Sequence, residues 1–260
     1  MIIPKSRAEV AVMRRAGEVV AKTIATLREA VRPGVTTAEL DRIAAREIER
    51  SGATPSFLGY RGFPATICTS VNNEIVHGIP GRRELAEGDL VKLDVGAVVE
   101  GFHADSAVTV PAGRPSEVAA KLIETTELAL WAGLSQAHAG HRLGDVGAAV
   151  QAVAEEAGFS VVREYVGHGI GRALHEEPPV PNYGSKGKGY RLTEGLVIAI
   201  EPMVNVGGYA TRLLGDGWTV VTEDGSLSAH FEHTVAVTDS GPWVLTDLAG
   251  RMADRVGLPA

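Results

Sequence analysis

Four carboxylates and one histidine sit among neighbours that do not suit solvated side chains. Asp94 lies in Leu93-Asp94-Val95, followed by Ala97 and Val98. An unpaired carboxylate there would be desolvated and would either take up a proton or acquire a partner. Asp105 lies in Phe102-His103-Ala104-Asp105-Ser106, on the returning arm of a hairpin expected to bend through Val99-Glu100-Gly101. If pairing is centred on Val99 and Glu100, the two aspartates face each other with Cβ atoms ~5 Å apart, and like charges so placed destabilise a sheet unless something compensates them. A cation between them is the simplest compensation.

Glu201 follows the apolar run Leu196-Val197-Ile198-Ala199-Ile200 and precedes Pro202. Proline cannot donate to a ladder, so it marks the strand end and leaves the carboxylate at a rigid edge. Glu232 alternates with Phe231 and His233 in His230-Phe231-Glu232-His233-Thr234-Val235 and is expected to face the layer opposite Phe231. His168 is framed by glycines in Gly167-His168-Gly169-Ile170-Gly171, which allow close backbone approach while fixing an imidazole at a strand end. Singly, each has an ordinary explanation: a turn-capping aspartate, an exposed strand-end glutamate, a packed histidine. Jointly, two divalent cations would cancel the four negative charges. Oxygen donors with one nitrogen suit Mn²⁺, Fe²⁺, Co²⁺ or Zn²⁺ better than an all-oxygen calcium cage or a thiolate site. Two such ions ~3.5–4 Å apart can share a hydroxide and polarise a carbonyl or phosphoryl group, so spacing alone leaves aminopeptidase and phosphatase chemistry both open.

The elements that must position these groups follow from periodicity. Ser6 and Glu9 have the spacing of a capping box, and Val10, Met13, Gly17, Val20, Ile24, Leu27 and Val31 then recur at steps of three and four. A long amphipathic helix is expected, ended by Pro33-Gly34. Thr36 and Glu39 repeat the box before Leu40, Ile43, Ala44 and Ile48, with a stop at Gly52. Strands are expected from Thr66 to Val71, Leu90 to Val98, Phe102 to Val110, Ser160 to Val166, Leu196 to Ile200, Trp218 to Thr222 and Ser228 to Val237. Asp224-Gly225 reads as the turn between the last two. Helices are expected over Glu117 to Ala137 and Asp145 to Ala157. Helices followed by strands in each half point to an α+β fold with an antiparallel or mixed sheet. Composition marks no linker and no short-period repeat is visible, so residues 1–260 are expected to form one domain.

The chain has 260 residues, 45% of them hydrophobic, enough for a continuous core. Its net charge is −7 and no Lys/Arg run could track phosphates, which argues against a nucleic acid substrate. Cys68 is the only cysteine, so an intrachain disulfide is excluded and a cytoplasmic location is the default expectation. The segment from Met1 to Val12 lacks the apolar centre of a signal peptide, and no apolar stretch reaches the ~18 residues of a membrane span.

The segments Val76-His77-Gly78-Ile79-Pro80, Leu93-Asp94-Val95, Gly101-Phe102-His103-Ala104-Asp105, Gly167-His168-Gly169-Ile170-Gly171, Glu201-Pro202-Met203-Val204 and Phe231-Glu232-His233-Thr234 resemble, in order and spacing, those of type I methionine aminopeptidases. The resemblance runs from the N-terminal helix to about Thr246. It implies the pita-bread (creatinase/aminopeptidase) fold, two α/β halves related by a pseudo-two-fold, with a dinuclear centre held by Asp94, Asp105, His168, Glu201 and Glu232. It further implies that Glu201 handles the proton of the bridging water, that His175 contacts the scissile carbonyl and that His77 lies beside the scissile nitrogen. Tyr60, Phe63, Cys68 and Trp218 match positions lining the family's methionine pocket, while Phe57 and Leu174 depart from a cysteine and a phenylalanine common there. The lack of a cysteine-rich extension and of a large insert before His168 implies the compact bacterial form. Its substrates would be N-termini of nascent polypeptides with a small second residue, met at the ribosome by a monomer. Two rivals are an X-Pro aminopeptidase on the same fold and a metal-free, peptide-binding relative; the first usually carries an additional N-terminal domain and the second should lack a ligand.

Overall fold

The computed structural model describes residues 2–248, so the outermost ends of the expected 1–260 domain lie outside the described residues. The first half comprises α1 (Arg7–Ala30), α2 (Thr37–Arg50), β1 (Thr54–Pro55), β2 (Cys68–Val71), β3 (Glu74–Val76), β4 (Leu90–Val99) and β5 (Phe102–Pro111). The second half begins with another helix pair, α3 (Glu117–Leu134) and α4 (Leu143–Glu156). Its strands are β6 (Ser160–Val161), β7 (Gly167–Gly169), β8 (Glu176–Val180), β9 (Val197–Ile200), β10 (Met203–Asn205), β11 (Thr211–Leu213), β12 (Val220–Thr222), β13 (Ser228–His230), β14 (His233–Thr238) and β15 (Gly241–Val244). A helix pair followed by strands thus occurs twice. Every strand pairing among the described residues is antiparallel, as the α+β expectation requires.

Local chemistry accounts for the helices. At the start of α1 the Glu9 amide donates to Ser6 Oγ and the Ser6 amide donates to Glu9 Oε2, closing the capping box. The Glu39 amide likewise donates to Thr36 Oγ1 at α2. The buried face of α1 carries Val10, Met13, Gly17, Val20, Ile24 and Leu27 and packs on β4 and β5. One apolar cluster continues from this face through Leu93 and Val95 to Leu130 and Leu134 of α3, and on to Ile198 and Val235.

The β4–β5 hairpin differs from expectation by its register. Its last pair is Val99 with Phe102, so the bend is Glu100-Gly101 and not Val99-Glu100. Both bend residues have positive φ, 50° and 78°, the two-residue turn whose twist suits a hairpin. Asp94 therefore lies opposite Ala107 and Asp105 opposite Gly96. The aspartates are diagonal neighbours on one face, ~7–8 Å apart as such positions generally are, rather than direct partners.

Three further expectations are corrected. The strand expected from Ser160 to Val166 stops at Val161, and a separate strand carries His168. The expected Ser228–Val237 strand is broken at Phe231 and Glu232. The cause is a change of partner: β13 pairs with β10 and β14 with β9, while between them Glu232 exchanges backbone hydrogen bonds with Ala107 of β5. The turn at Asp224-Gly225 exists, yet β12 pairs with β11 and β3, so the turn passes the chain between sheets and does not close a hairpin.

Candidate metal centre

The two halves meet where Glu232 bonds Ala107. Nearby, Thr234 Oγ1 donates to the Asp105 carbonyl at 2.8 Å and accepts from the Asp105 amide at 3.0 Å. These bonds set β5 of the first half against the β13–β14 break of the second. Asp94 projects from β4, Asp105 from β5 and His168 from the middle of β7, while Glu201 stands one residue beyond β9, where Pro202 ends the strand. All five line one cavity of about 160 Å³, together with His77, His175, Tyr60, Phe63, Cys68 and Trp218. Every site residue expected from the sequence is therefore brought to the same place. Glu232 is buried on its side of the chain as Phe231 is on the other, so its face is interior in spite of the broken strand.

Within the cluster, His168 Nε2 lies 3.6 Å from Glu201 Oε1 and 4.0 Å from Asp105 Oδ2. Ligand atoms of Asp105, His168 and Glu232 all fall within 4.8 Å of one another. Asp94 Oδ1, Asp105 Oδ1 and Glu232 Oε1 are buried without a hydrogen-bond partner. Orphaned buried carboxylate oxygens demand either a proton or a cation. Among the described residues, the basic groups within 4.0 Å of Asp105 and Glu201 are two imidazoles, His168 and His230, which burial keeps neutral. Burial raises the pKa of Asp94 to about 7. Burial first, then neighbouring carboxylates, holds Asp105, Glu201 and Glu232 well above the ordinary range.

His168 is arranged as a donor of a lone pair. Its Nδ1 lies 2.8 Å from the Gly169 carbonyl, an acceptor only, so Nδ1 carries the hydrogen and Nε2 faces the acidic cluster unprotonated. Burial lowers its pKa to about 4, which keeps it neutral. The unpartnered oxygens, the available nitrogen and the shared cavity fit a divalent metal centre.

His175 and His77 flank this cluster. The His175 ring centroid is 4.2 Å from that of His168, and its Nδ1 is 2.9 Å from the Tyr60 hydroxyl. Burial, aided by the adjacent His168, lowers its pKa to about 3. His77 adopts φ 60° and sits edge-on to Tyr165 and Trp218, and burial lowers its pKa as well. Beyond them lies an apolar wall. Tyr60 stacks on His175 at 5.3 Å, and Phe63 meets Trp218 edge-on at 5.1 Å. Cys68 pairs with Asp94 in the β2–β4 register, which turns its thiol toward the same cavity. Phe57 and Leu174, the two departures noted in the sequence, line it too.

Two residues near the centre carried no expectation. Arg61 lines the cavity beside Tyr60, and its exposed position in a turn left no signal. His230 is 1% exposed and faces Glu201, and its spacing of two from Glu232 was the available clue.

Comparison with known proteins places the geometry in context. Residues 11–239 match the model of metallopeptidase family M24. The chain is 53% identical over 246 residues to methionine aminopeptidase of Clostridium perfringens, covering 95% of this chain and 99% of that one. It is 52% identical over 246 residues to methionine aminopeptidase 1 of Bacillus subtilis, with the same shares covered. A crystal structure of methionine aminopeptidase from Thermotoga maritima superposes with a TM-score of 0.93 at 42% identity, covering 95% of this chain and 100% of that one.

Proposed function

The chain belongs to metallopeptidase family M24 and has its pita-bread fold, and from that premise we propose that it is a methionine aminopeptidase that removes the initiator methionine from new polypeptides. The observation that carries this reading is the adjacency of the buried acidic cluster to an apolar cavity wall of the right size and softness for a thioether. Residues 1–260 act as one catalytic domain, consistent with an apolar cluster that runs through both halves.

Asp94, Asp105, His168, Glu201 and Glu232 hold two divalent ions, of cobalt, manganese, iron or zinc. When bound, such ions supply an activated water and polarise the scissile carbonyl. Glu201 would take the proton of the attacking water on its buried carboxylate and release it to the departing amine. With the Tyr60 hydroxyl 2.9 Å from His175 Nδ1 as donor, the neutral ring would carry its hydrogen on Nε2 and present it to the scissile carbonyl oxygen. His77, half-buried and with its pKa lowered by desolvation, lies beside the scissile nitrogen. Tyr60, Phe63, Cys68 and Trp218 receive the methionine side chain, and the confined cavity restricts the second residue to a small one. The substrates are nascent N-termini, met in the cytoplasm at the ribosome by a monomer.

The test is a peptide panel with protein loaded with Mn²⁺ or Co²⁺. Methionine is released from Met-Ala-Ser and not from Met-Lys-Ser, and Glu201→Gln abolishes turnover. Preferential cleavage of Xaa-Pro peptides overturns the assignment.

A further inference from the structure

His230 is the last residue of β13 and pairs with Met203 of β10, immediately beyond the Glu201-Pro202 bend. Its backbone is pinned on both sides by one hydroxyl. The His230 amide donates to Thr109 Oγ1 at 2.9 Å, and Thr109 Oγ1 donates back to the His230 carbonyl at 2.8 Å. Two residues earlier, Lys92 Nζ donates to the Ser228 carbonyl at 3.1 Å. The imidazole therefore projects from an immobilised base. It is 1% exposed, and neither ring nitrogen has a hydrogen-bond partner. A buried polar ring without partners is costly and calls for an explanation.

The ring faces Glu201. Its Nε2 is 3.7 Å from Glu201 Oε2, while Glu201 Oε1 is 3.6 Å from His168 Nε2, so one imidazole stands at each oxygen of the carboxylate. The tautomer follows from the surroundings. A hydrogen on Nδ1 would meet no acceptor, whereas a hydrogen on Nε2 points toward a carboxylate oxygen. A shift of under ~1 Å brings that pair within hydrogen-bond range.

We propose that His230 is a positioning residue for the reaction: its Nε2–H donates to Glu201 Oε2 and holds the carboxylate plane so that Oε1 faces the ion-binding cluster. This role rests on the reading of Glu201 as ligand and proton carrier. His230 is not among the residues that line the cavity and acts through Glu201.

The experiment compares His230→Leu, which removes the donor at similar bulk, with His230→Gln, whose amide retains one. Each metal-free protein is titrated calorimetrically with Mn²⁺, melted without metal, and assayed after loading on Met-Ala-Ser. In the leucine variant Mn²⁺ affinity falls about 10-fold or more, the usual range for loss of a group that orients a metal ligand. Its kcat falls while KM stays within about twofold and the metal-free Tm is not lowered, because the lost nitrogens had no partners. The glutamine variant recovers affinity and kcat to within about threefold of the parent. The proposal is overturned if leucine matches the parent in affinity and kcat, if glutamine is no better than leucine, or if the loss of affinity tracks a lowered metal-free Tm. Should the parent protein release no methionine, the proposed activity fails, while the Mn²⁺ titration still decides the role of His230.

Discussion

Replacing Asp105 with asparagine should separate two properties that the acid combines. In the metal-free fold this carboxylate is buried against Asp94 and Glu201, and desolvation, then repulsion, drives its pKa well up. Asparagine keeps the shape and removes the charge, so the metal-free Tm should rise while Mn²⁺ affinity drops by about 10-fold or more, the trade-off expected of a strained functional group. Thermal melts with and without Mn²⁺, with calorimetric titration, read both quantities; a lower metal-free Tm refutes the account. At this scale much of the site was legible. Glu201 was marked by the proline behind it and Asp94 by the aliphatic residues around it. His230 was not, since an alternating strand gives a histidine no mark of its own, and only the nearby Glu201 oxygen makes it notable.

Gly17 illustrates the element scale. It lies inside α1, where alanine would ordinarily improve helix stability by about 1 kcal/mol. Here a Cβ would fall 2.7 Å from the carbonyl carbon of Leu245, a backbone atom that cannot swing aside. Gly17→Ala should therefore lose about 1–3 kcal/mol, the cost of overpacking, seen as a lower urea midpoint with unchanged slope. A gain would mean that the α1–Leu245 contact yields. Helices were the readable elements: their caps and three-four spacing are local, and α1 and α2 begin just after the N-caps Ser6 and Thr36, with the full capping box formed at α1. Short strands were less so. β8 contains Pro178 and Pro179 and gives no strand signal, and the break at Phe231-Glu232 arises from a bond to Ala107 far away in the chain. The hairpin was recognised but its bend misplaced by one residue, which converts opposed aspartates into diagonal ones.

For the molecule as a whole, the centre is a charge problem that metal solves, and stability should follow pH accordingly. Above about pH 7.5 the histidines are almost wholly neutral in both folded and unfolded states. Asp94, with a folded pKa of about 7, and Asp105, Glu201 and Glu232, raised by burial, retain protons that the unfolded chain has already lost. Their contribution is greatest at low pH and is lost as pH rises through the folded values. Lys92, lowered by burial to about 7, acts in the opposite sense, but four carboxylates outweigh one lysine. Metal-free protein should thus have a lower urea midpoint at about pH 8.5 than at about pH 7.5, and saturating Mn²⁺ should reverse the order because ligation needs deprotonated groups. Chelation should lower Tm correspondingly. An unchanged order with Mn²⁺ sinks this expectation. The pairing of two halves across β5 and the β13–β14 break was the part of the architecture least accessible from sequence, because neither half shows repeated residues even though both repeat the order of elements.

That the proposed ligands come from both sides of this junction also imposes a schedule. Asp94 is synthesised early and Glu232 late, with His168 and Glu201 between them. Until the segment around Glu232 has emerged and paired with Ala107, a growing chain holds acidic residues without the partner that completes their cage. On the proposed ligand set, the metal centre can be completed only near the end of the chain's own synthesis, so shortened products ending before that segment should be inert. An enzyme that trims other chains at their beginnings becomes competent through the later part of its own.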